Sequence, residues 1–328
     1  MDALITGAAG QDGVILSYLL LREGYRVTGL IRPGQSESVL GAYAPQVEVV
    51  ECDLGDSKSL KAIVLDRRPT EVYNFGGVTS IVDSIKRPEV TRLVNVAAVA
   101  TLLEAVAEIS ASSPCHFVQA ASGTIFEGSD VVPQDESTLR EPRTPYAVTK
   151  CEAIDLISSV RDERGLHASS AILYNHESPL RGRGFVTRRI SVAAARIAAG
   201  LQDYVELGNL DVCRDWGWAP DYVRAMRLMM AAEVPGDYVL ATGQTHRLTD
   251  FLEIAFRSAG IDNWRDCVRT HDDLWRPTDS SILCGNSAKA YRELGWIHTR
   301  TFSDIAVAMV KHDMRLIRDP NAFWRPHP

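Results

Sequence analysis

The sequence predicts an α/β protein built on a doubly wound parallel sheet, with a smaller C-terminal lobe interleaved with it. Three observations carry this. Short β-branched or apolar runs alternate with helical periods through the first half of the chain. A glycine-rich turn stands between the first strand and the first helix. The alternation then breaks near residue 175, with no repeat and no low-complexity linker after it.

Taken in order, residues 3–6 read as a strand and 14–23 as an amphipathic helix. Strands follow at 26–31 and 71–74, with a helix at 57–67 between them. A long helix is expected at 95–109, a strand at 116–120, a second long helix at 145–164 and a strand at 168–174. Right-handed crossovers then bring every strand's C-terminal end, and with it the ligand, to one edge of the sheet. Beyond 175, residues 181–184 read as a loop, 188–199 as a helix and 216–220 as a turn. A late strand is expected at 237–241 and a helix at 249–259, opening at Thr249 or Asp250. Met226, Met229 and Met230 stand at helical spacing and read as core.

Composition bounds the function. A chain of 328 residues suggests about two lobes. With 45% hydrophobic and 23% charged residues it has the make-up of an ordinary soluble protein. Its 35 Lys plus Arg against 42 Asp plus Glu leave a net charge of −7, which argues against a nucleic-acid partner. No apolar run reaches the roughly 18 residues of a membrane span. Because Met1-Asp2-Ala3-Leu4-Ile5-Thr6-Gly7 leads straight into a strand, no signal peptide is expected. Six cysteines without ligand spacing (Cys52, Cys115, Cys151, Cys213, Cys267 and Cys284) read as reduced cytoplasmic thiols, with no metal site.

Gly7-Ala8-Ala9-Gly10-Gln11-Asp12-Gly13 is the turn that carries most weight. Glycines there permit a tight turn and close approach of backbone to a pyrophosphate, which the next helix's N-terminus favours. Alone, a glycine-rich turn in a non-binding α/β protein reads the same way; with its place after the first strand and the features below, it is expected to form a Rossmann-type dinucleotide site. Arg32, at the end of the second strand, suits the 2′-phosphate of NADP, although a solvated surface arginine gives the same pattern. NAD stays open as the alternative. Asp53, after the third strand, is placed to accept a hydrogen bond near the adenine, and a plain loop aspartate reads the same way.

Tyr146 and Lys150 are four apart on a predicted helix and share a face. A lysine beside a phenol favours the phenolate, so the pair makes a general base with a cation to grip a ribose. Some 25 residues earlier, Ala121-Ser122-Gly123-Thr124 ends a strand and offers a hydroxyl to a substrate oxygen. Glycine turn, serine, tyrosine and lysine in this order form a constellation that none of them makes alone.

At these residues the chain resembles an extended short-chain dehydrogenase/reductase. Over nearly its whole length it resembles the GDP-mannose 4,6-dehydratase family. The resemblance runs through Tyr174-Asn175-His176-Glu177-Ser178-Pro179, Phe185-Val186-Thr187-Arg188, Gly208-Asn209-Leu210-Asp211, Arg214-Asp215-Trp216-Gly217 and Arg276-Pro277-Thr278. That family binds GDP-mannose and NADP, takes a hydride from sugar C4 and eliminates water across C5 and C6. Carried over, the resemblance puts Gly7, Gly10, Gln11, Asp12, Gly13, Arg32, Asp53, Leu54, Phe75, Gly76, Tyr146, Lys150, His176 and Arg181 around the cofactor. It puts Ser84, Ser122, Asn175, Glu177, Val186, Arg189, Asn209, Arg214 and Arg276 around the GDP-hexose. Arginines suit a pyrophosphate because their forked donors match its oxygens; ion pairs of Arg214 with Asp215 and of Arg276 with Asp279 are the competing reading. The resemblance divides the chain into a dinucleotide-binding domain at 1–174, with part of 208–245, and a nucleotide-sugar lobe formed mainly by 175–328. It also implies a homodimer.

The departures from that family sit in the hexose half. Dehydratases carry Thr-x-Glu in the serine loop, the Glu being the base for the C5 proton; the matching residues here are Ser122 and Thr124. A threonine hydroxyl is no base near neutral pH. The loop instead resembles the Ser-x-Thr of nucleotide-sugar 4-epimerases. Val78-Thr79-Ser80 replaces Gln-Ser-His, Val90 stands for a cofactor-pocket tyrosine, and the 34–47 loop is shorter than the one that builds the family's tetramer. The expectation is therefore a GDP-mannose-type 4-epimerase with Ser122, Thr124, Tyr146 and Lys150 as catalytic residues. The alternative is a 4,6-dehydratase with a substitute base, for which Glu127 is the first candidate.

Overall fold

The computed structural model describes residues 1–271 and 282–326. Its first half alternates as expected. Strands β1 (Asp2–Thr6), β2 (Arg26–Ile31), β3 (Glu48–Glu51) and β4 (Glu71–Asn74) are separated by α1 (Gln11–Arg22), α2 (Ser38–Tyr43) and α3 (Ser57–Arg67). After β4 come α4 (Ile81–Lys86), α5 (Pro88–Arg92), a π turn at Leu93–Ala97 and α6 (Ala98–Ser110). Then β5 (His116–Ala120), a 3-10 turn at Gly123–Phe126, α7 (Pro145–Arg164) and β6 (Ala168–Leu173) close the first half.

The second half supplies β7 (Asn175–Glu177), α8 (Val186–Ala198), β8 (Val205–Leu207), β9 (Cys213–Trp218) and α9 (Ala219–Ala231). It continues with β10 (Asp237–Leu240), β11 (Thr245–Arg247), α10 (Leu248–Ser258), β12 (Val268–Thr270), α11 (Ala288–Leu294) and α12 (Phe302–Arg318). The segment at 216–220, expected as a turn, is the end of β9 running directly into α9. Trp216 and Trp218 alternate inward there while Pro220 sits in the first helical turn, where its missing N–H costs nothing.

Seven strands form one sheet in the order β10-β6-β5-β4-β1-β2-β3, every pair parallel. The order reverses direction between β1 and β4. Strand ends at this reversal leave a crevice, so Gly7 and Phe75 stand where a ligand of such a sheet sits. β10, from the second half, lies at the sheet edge beside β6. Separate small sheets, β11-β9-β7 and β12-β8, stand apart from the large one.

Local chemistry explains the elements that flank the site. Thr144 caps α7 by accepting the Ala147 N–H, Pro145 opens the helix, and Gly165 ends it at φ 64°. The expected single helix at 95–109 is in fact the end of a longer one. From Pro88 to Ser110 it runs 23 residues, long and apolar enough by length and composition to cross a membrane, contrary to what apolar runs suggested. It is a core helix: Leu102, Leu103, Val106 and Ile109 are buried in one cluster with Val72, Phe117 and Leu60. Its π turn lets Asn95 face inward. The Asn95 amide accepts from Val78 N–H (2.8 Å) and donates to Val78 O (3.0 Å) and Thr149 Oγ1 (3.2 Å), fixing the segment after β4 against α7. The three methionines on α9 are buried.

Candidate active site

The strand ends deliver the expected groups to one place. A cavity of about 490 Å³ is lined by Asp12, Phe75, Ser122, Thr124, Tyr146, Lys150, Asn175, His176 and Arg181. Ser122 follows β5 and caps the 3-10 turn, its Oγ accepting from Thr124 N–H (3.3 Å) and Thr124 Oγ1–H (3.0 Å). Lys150 donates from Nζ to Ala120 O at 2.8 Å and lies 5.7 Å from the Tyr146 ring centre. Burial pulls its pKa down to about 8. Burial also raises the Tyr146 phenol; a hydrogen bond with Ser122 and the charge of Arg181 oppose that rise, and Glu127 adds to it. The charge of Arg181 thus acts on the phenol too, while the Lys150 ammonium, near the ring, is directed to a carbonyl.

At the dinucleotide turn, Gly7 has φ +65°, and a Cβ on it would stand 2.8 Å from Gly76 N. A Cβ on Gly13 would lie 2.5 Å from Gly7 O and 2.6 Å from Ala8 Cα, both backbone atoms that cannot swing away. Only glycine fits a turn packed this closely on its own backbone, and such a turn lets a pyrophosphate approach the backbone. Gly13→Ala should weaken dinucleotide binding by roughly 10- to 100-fold, the equivalent of the ~1–3 kcal/mol of overpacking. Fluorescence titration with reduced cofactor measures it, and unchanged affinity would remove the turn from the site.

Buried His176 and half-buried Asp12 and Arg181 form a charged set beside this turn. His176 Nε2 lies 3.0 Å from Asp12 Oδ2, while its Nδ1 is 2.8 Å from Tyr174 O. Burial alone would raise Asp12 and lower His176; their mutual attraction outweighs it, so Asp12 falls and His176 rises. Arg181 stacks on Phe185 at 3.6 Å and contacts Glu177 at 3.3 Å. It also borders a second cavity of about 690 Å³, lined further by Gly10, Gln11, Tyr43 and Phe323. Arg32, Asp53, Leu54 and Gly76 follow β2, β3 and β4 at the same sheet edge, with Arg32 exposed.

Of the expected substrate contacts, Ser122 and Asn175 line this cavity and the other described ones do not. Ser84 is fully buried, donating to Ile81 O (2.7 Å) and accepting from Tyr146 N–H (3.2 Å). Glu177 is buried too, accepting from Thr187 Oγ1 (2.6 Å) as well as facing Arg181. Both brace the site. Val186 opens α8, and Arg189, one turn on, donates to Glu206 O beside a cleft lined by 202–206. Asn209 accepts from Asp211 N–H in a turn. Arg214 donates to Cys213 O (2.8 Å), and its competing partner Asp215 is used elsewhere: that carboxylate accepts from Thr242, Gly243 and Gly285. Arg276, with Trp275 and Asp279, lies outside the described residues.

Glu127, which ends the 3-10 turn after Ser122, is buried off the cavity wall. Burial pushes its pKa up to about 7, against the opposing charge of Arg214 and a hydrogen bond with Thr144. The wall also holds residues the sequence did not single out, Ile81, Val82 and Asp83 on α4. Their signal was position, since each follows the C-terminal end of a strand at the ligand edge.

Residues 4–309 match the family model described as GDP-mannose 4,6 dehydratase. A GDP-mannose 4,6-dehydratase of Sinorhizobium fredii is 38% identical over 341 residues, covering 96% of this chain and 97% of its own length. GDP-mannose 4,6 dehydratase 1 of Arabidopsis thaliana is 39% identical, covering 96% and 90%. Among solved structures, the dTDP-glucose 4,6-dehydratase DesIV of Streptomyces venezuelae, with NAD and TYD bound, has a TM-score of 0.84 at 21% identity, covering 98% of this chain and all of its own. The relatives overturn the 4-epimerase expectation: they are dehydratases along the whole chain. That expectation made one loop position, Thr124, decide the reaction. The cavity holds a carboxylate on another element, so loss of a base from the loop does not empty the site of bases.

Proposed function

The chain belongs to the GDP-mannose 4,6-dehydratase family of extended short-chain dehydrogenases/reductases, and from that premise we propose that it is an NADP-dependent GDP-mannose 4,6-dehydratase whose elimination uses a substitute base. The observation that carries this is the meeting of Ser122, Tyr146 and Lys150 in one cavity beside the glycine turn. Bound nicotinamide dinucleotide would supply the hydride acceptor for C4 and the donor for C6. Gly7, Gly10, Gly13 and Gln11 would hold its pyrophosphate, and Lys150 its nicotinamide ribose. Arg32 favours NADP by suiting a 2′-phosphate. Tyr146 takes the 4-hydroxyl proton, and Ser122 orients that oxygen.

Arg189 and Arg214 are assigned to the diphosphate, with Asn209 and Val186 beside the nucleoside. This divides the chain into a dinucleotide-binding part at 1–174, with part of 208–245, and a nucleotide-sugar lobe formed mainly by 175–328. A homodimer is supported by exposed apolar side chains on α4, α5, the π turn and α7, namely Ile85, Val90, Leu93 and Val148. Six free cysteines support a reducing, cytoplasmic setting.

Incubation with GDP-mannose, run in parallel with NADP and NAD, tests the reading through the product's mass and proton spectrum. The expected product has lost one water and carries a methyl at C5, and it forms faster with NADP. A product of unchanged mass would overturn the dehydratase assignment.

A further inference from the structure

The elimination needs a group to take the C5 proton, made acidic once C4 is a ketone, and an acid for the departing C6 oxygen. Thr124 supplies neither, and its hydroxyl is hydrogen-bonded to Ser122. Among the described residues, the cavity wall carries two carboxylates, Asp12 and Asp83. Asp12 is held by His176 Nε2 (3.0 Å) and Gln11 Nε2 (3.2 Å) at the dinucleotide turn, so it is committed to the cofactor end. No described hydrogen bond or ion pair occupies the Asp83 side chain. Resting on the dehydratase reading, we propose that Asp83 is the acid–base residue of the elimination.

The local structure holds Asp83 for this task. Its backbone N–H is fixed by Ser80 Oγ at 3.1 Å, the cap of α4. Its neighbour Ser84 is fully buried, with its Oγ accepting the N–H of Tyr146 at 3.2 Å. Adjacent residues of α4 therefore carry the carboxylate and grip the phenol's own backbone. The residue that opens the reaction at O4 and the one that continues it at C5 are registered through a single hydrogen bond. Asn95 fixes the start of the same segment by clasping Val78 on both its N–H and its C=O. Short Thr79 and Ser80 side chains line the wall beside Asp83, leaving the carboxylate as the one acid–base group of that stretch. Glu127, by contrast, is buried and does not line this wall.

The step balances with one carboxylate. Asp83 takes the C5 proton, and the electron pair of that bond becomes the C5–C6 double bond as the C6–O bond breaks. The proton passes from the Asp83 carboxylic acid to the departing hydroxyl, which leaves as water, and the carboxylate is restored. The hydride taken from C4 would then be delivered to C6, and C5 would take a proton from solvent. The net change is the loss of one water.

Asp83→Asn in the full-length enzyme separates the half-reactions. With GDP-mannose and NADP, single-turnover cofactor reduction should stay within about 3-fold of the wild type, while water release falls by at least about 100-fold, the scale of a lost acid–base group. In D2O the recovered 4-keto sugar should carry no deuterium at C5, whereas the wild-type product carries one. Asp83→Glu, which keeps a carboxylate, should recover part of both, as a merely structural role would not. An Asp83→Asn enzyme that releases water at the wild-type rate overturns the assignment alone. So does loss of C5 exchange in Glu127→Gln when Asp83→Asn retains it. A wild type that releases no water overturns the dehydratase reading and this assignment with it.

Discussion

Tyr146→Phe is expected to abolish hydride removal from C4, lowering turnover by about 10²–10⁴-fold, the range for loss of a positioned acid–base group. The ring stays and only the phenol oxygen goes. Tyr146 is 9% exposed, with its backbone N–H anchored on Ser84 at the start of α7, so the helix and the cavity shape survive the change. The lost hydrogen bond to Ser122 costs about 1 kcal/mol of stability and does not unfold the protein. Cofactor binding should persist, because the turn at Gly7 and Gly13 and the ammonium of Lys150 are untouched. Mixing the variant with GDP-mannose and NADP should therefore give no rise in reduced-cofactor absorbance, in contrast to Asp83→Asn, which stops after that rise. Retained cofactor reduction in Tyr146→Phe would mean that another group takes the 4-hydroxyl proton, and Arg181 would no longer have a phenolate to stabilise.

Much of this site was legible because strand ends and helix spacing are local properties. The glycine turn, Ser122 after a strand, and Tyr146 with Lys150 at one helical interval each follow from a few neighbouring residues. Long-range chemistry was not. Whether Ser84 faces substrate or the back of Tyr146 depends on how α4 packs on α7, which no window of sequence states. The same holds for Lys150, whose ammonium goes to Ala120 O across the β5 end, and for Arg181, 31 residues further along the chain, whose charge also acts on the phenol. The expected helix at 95–109 began too late because Asn95, a poor interior residue, sits in a π turn where its amide is used by Val78. The turn expected at 216–220 failed because tryptophan alternation and a helix-opening proline abut without a linker.

The reaction was misjudged for a related reason. One substitution, Thr124 for a glutamate, is visible in sequence, but the position of Asp83 on the same cavity wall is a tertiary fact. A lost base in a loop is decisive only if no other element brings a carboxylate to the substrate. Here α4 does so, and the relatives' dehydratase identity agrees with a site whose acid–base group has moved and not vanished.

Asp313→Ala is expected to cost about 3–5 kcal/mol of stability, the scale for breaking one side of a buried ion pair. Asp313 on α12 meets Arg188 on α8, with side chains 4% and 7% exposed. Removing the carboxylate leaves the guanidinium buried with Ser191 Oγ (3.3 Å) as its remaining described partner. At roughly 2–4 °C per kcal/mol for a chain of a few hundred residues, the melting temperature should fall by on the order of 10 °C. The paired change Arg188→Met with Asp313→Leu should restore most of that, because apolar side chains of similar volume remove both charges together. Thermal melts at one fixed dinucleotide concentration make the comparison, since bound cofactor itself raises stability. A single variant melting within about 2 °C of the wild type would show that α12 is held by apolar packing alone. The consequence reaches the site: α8 also carries Val186 and Arg189, the residues assigned to the GDP-sugar, so loosening its hold on α12 should weaken GDP-sugar binding.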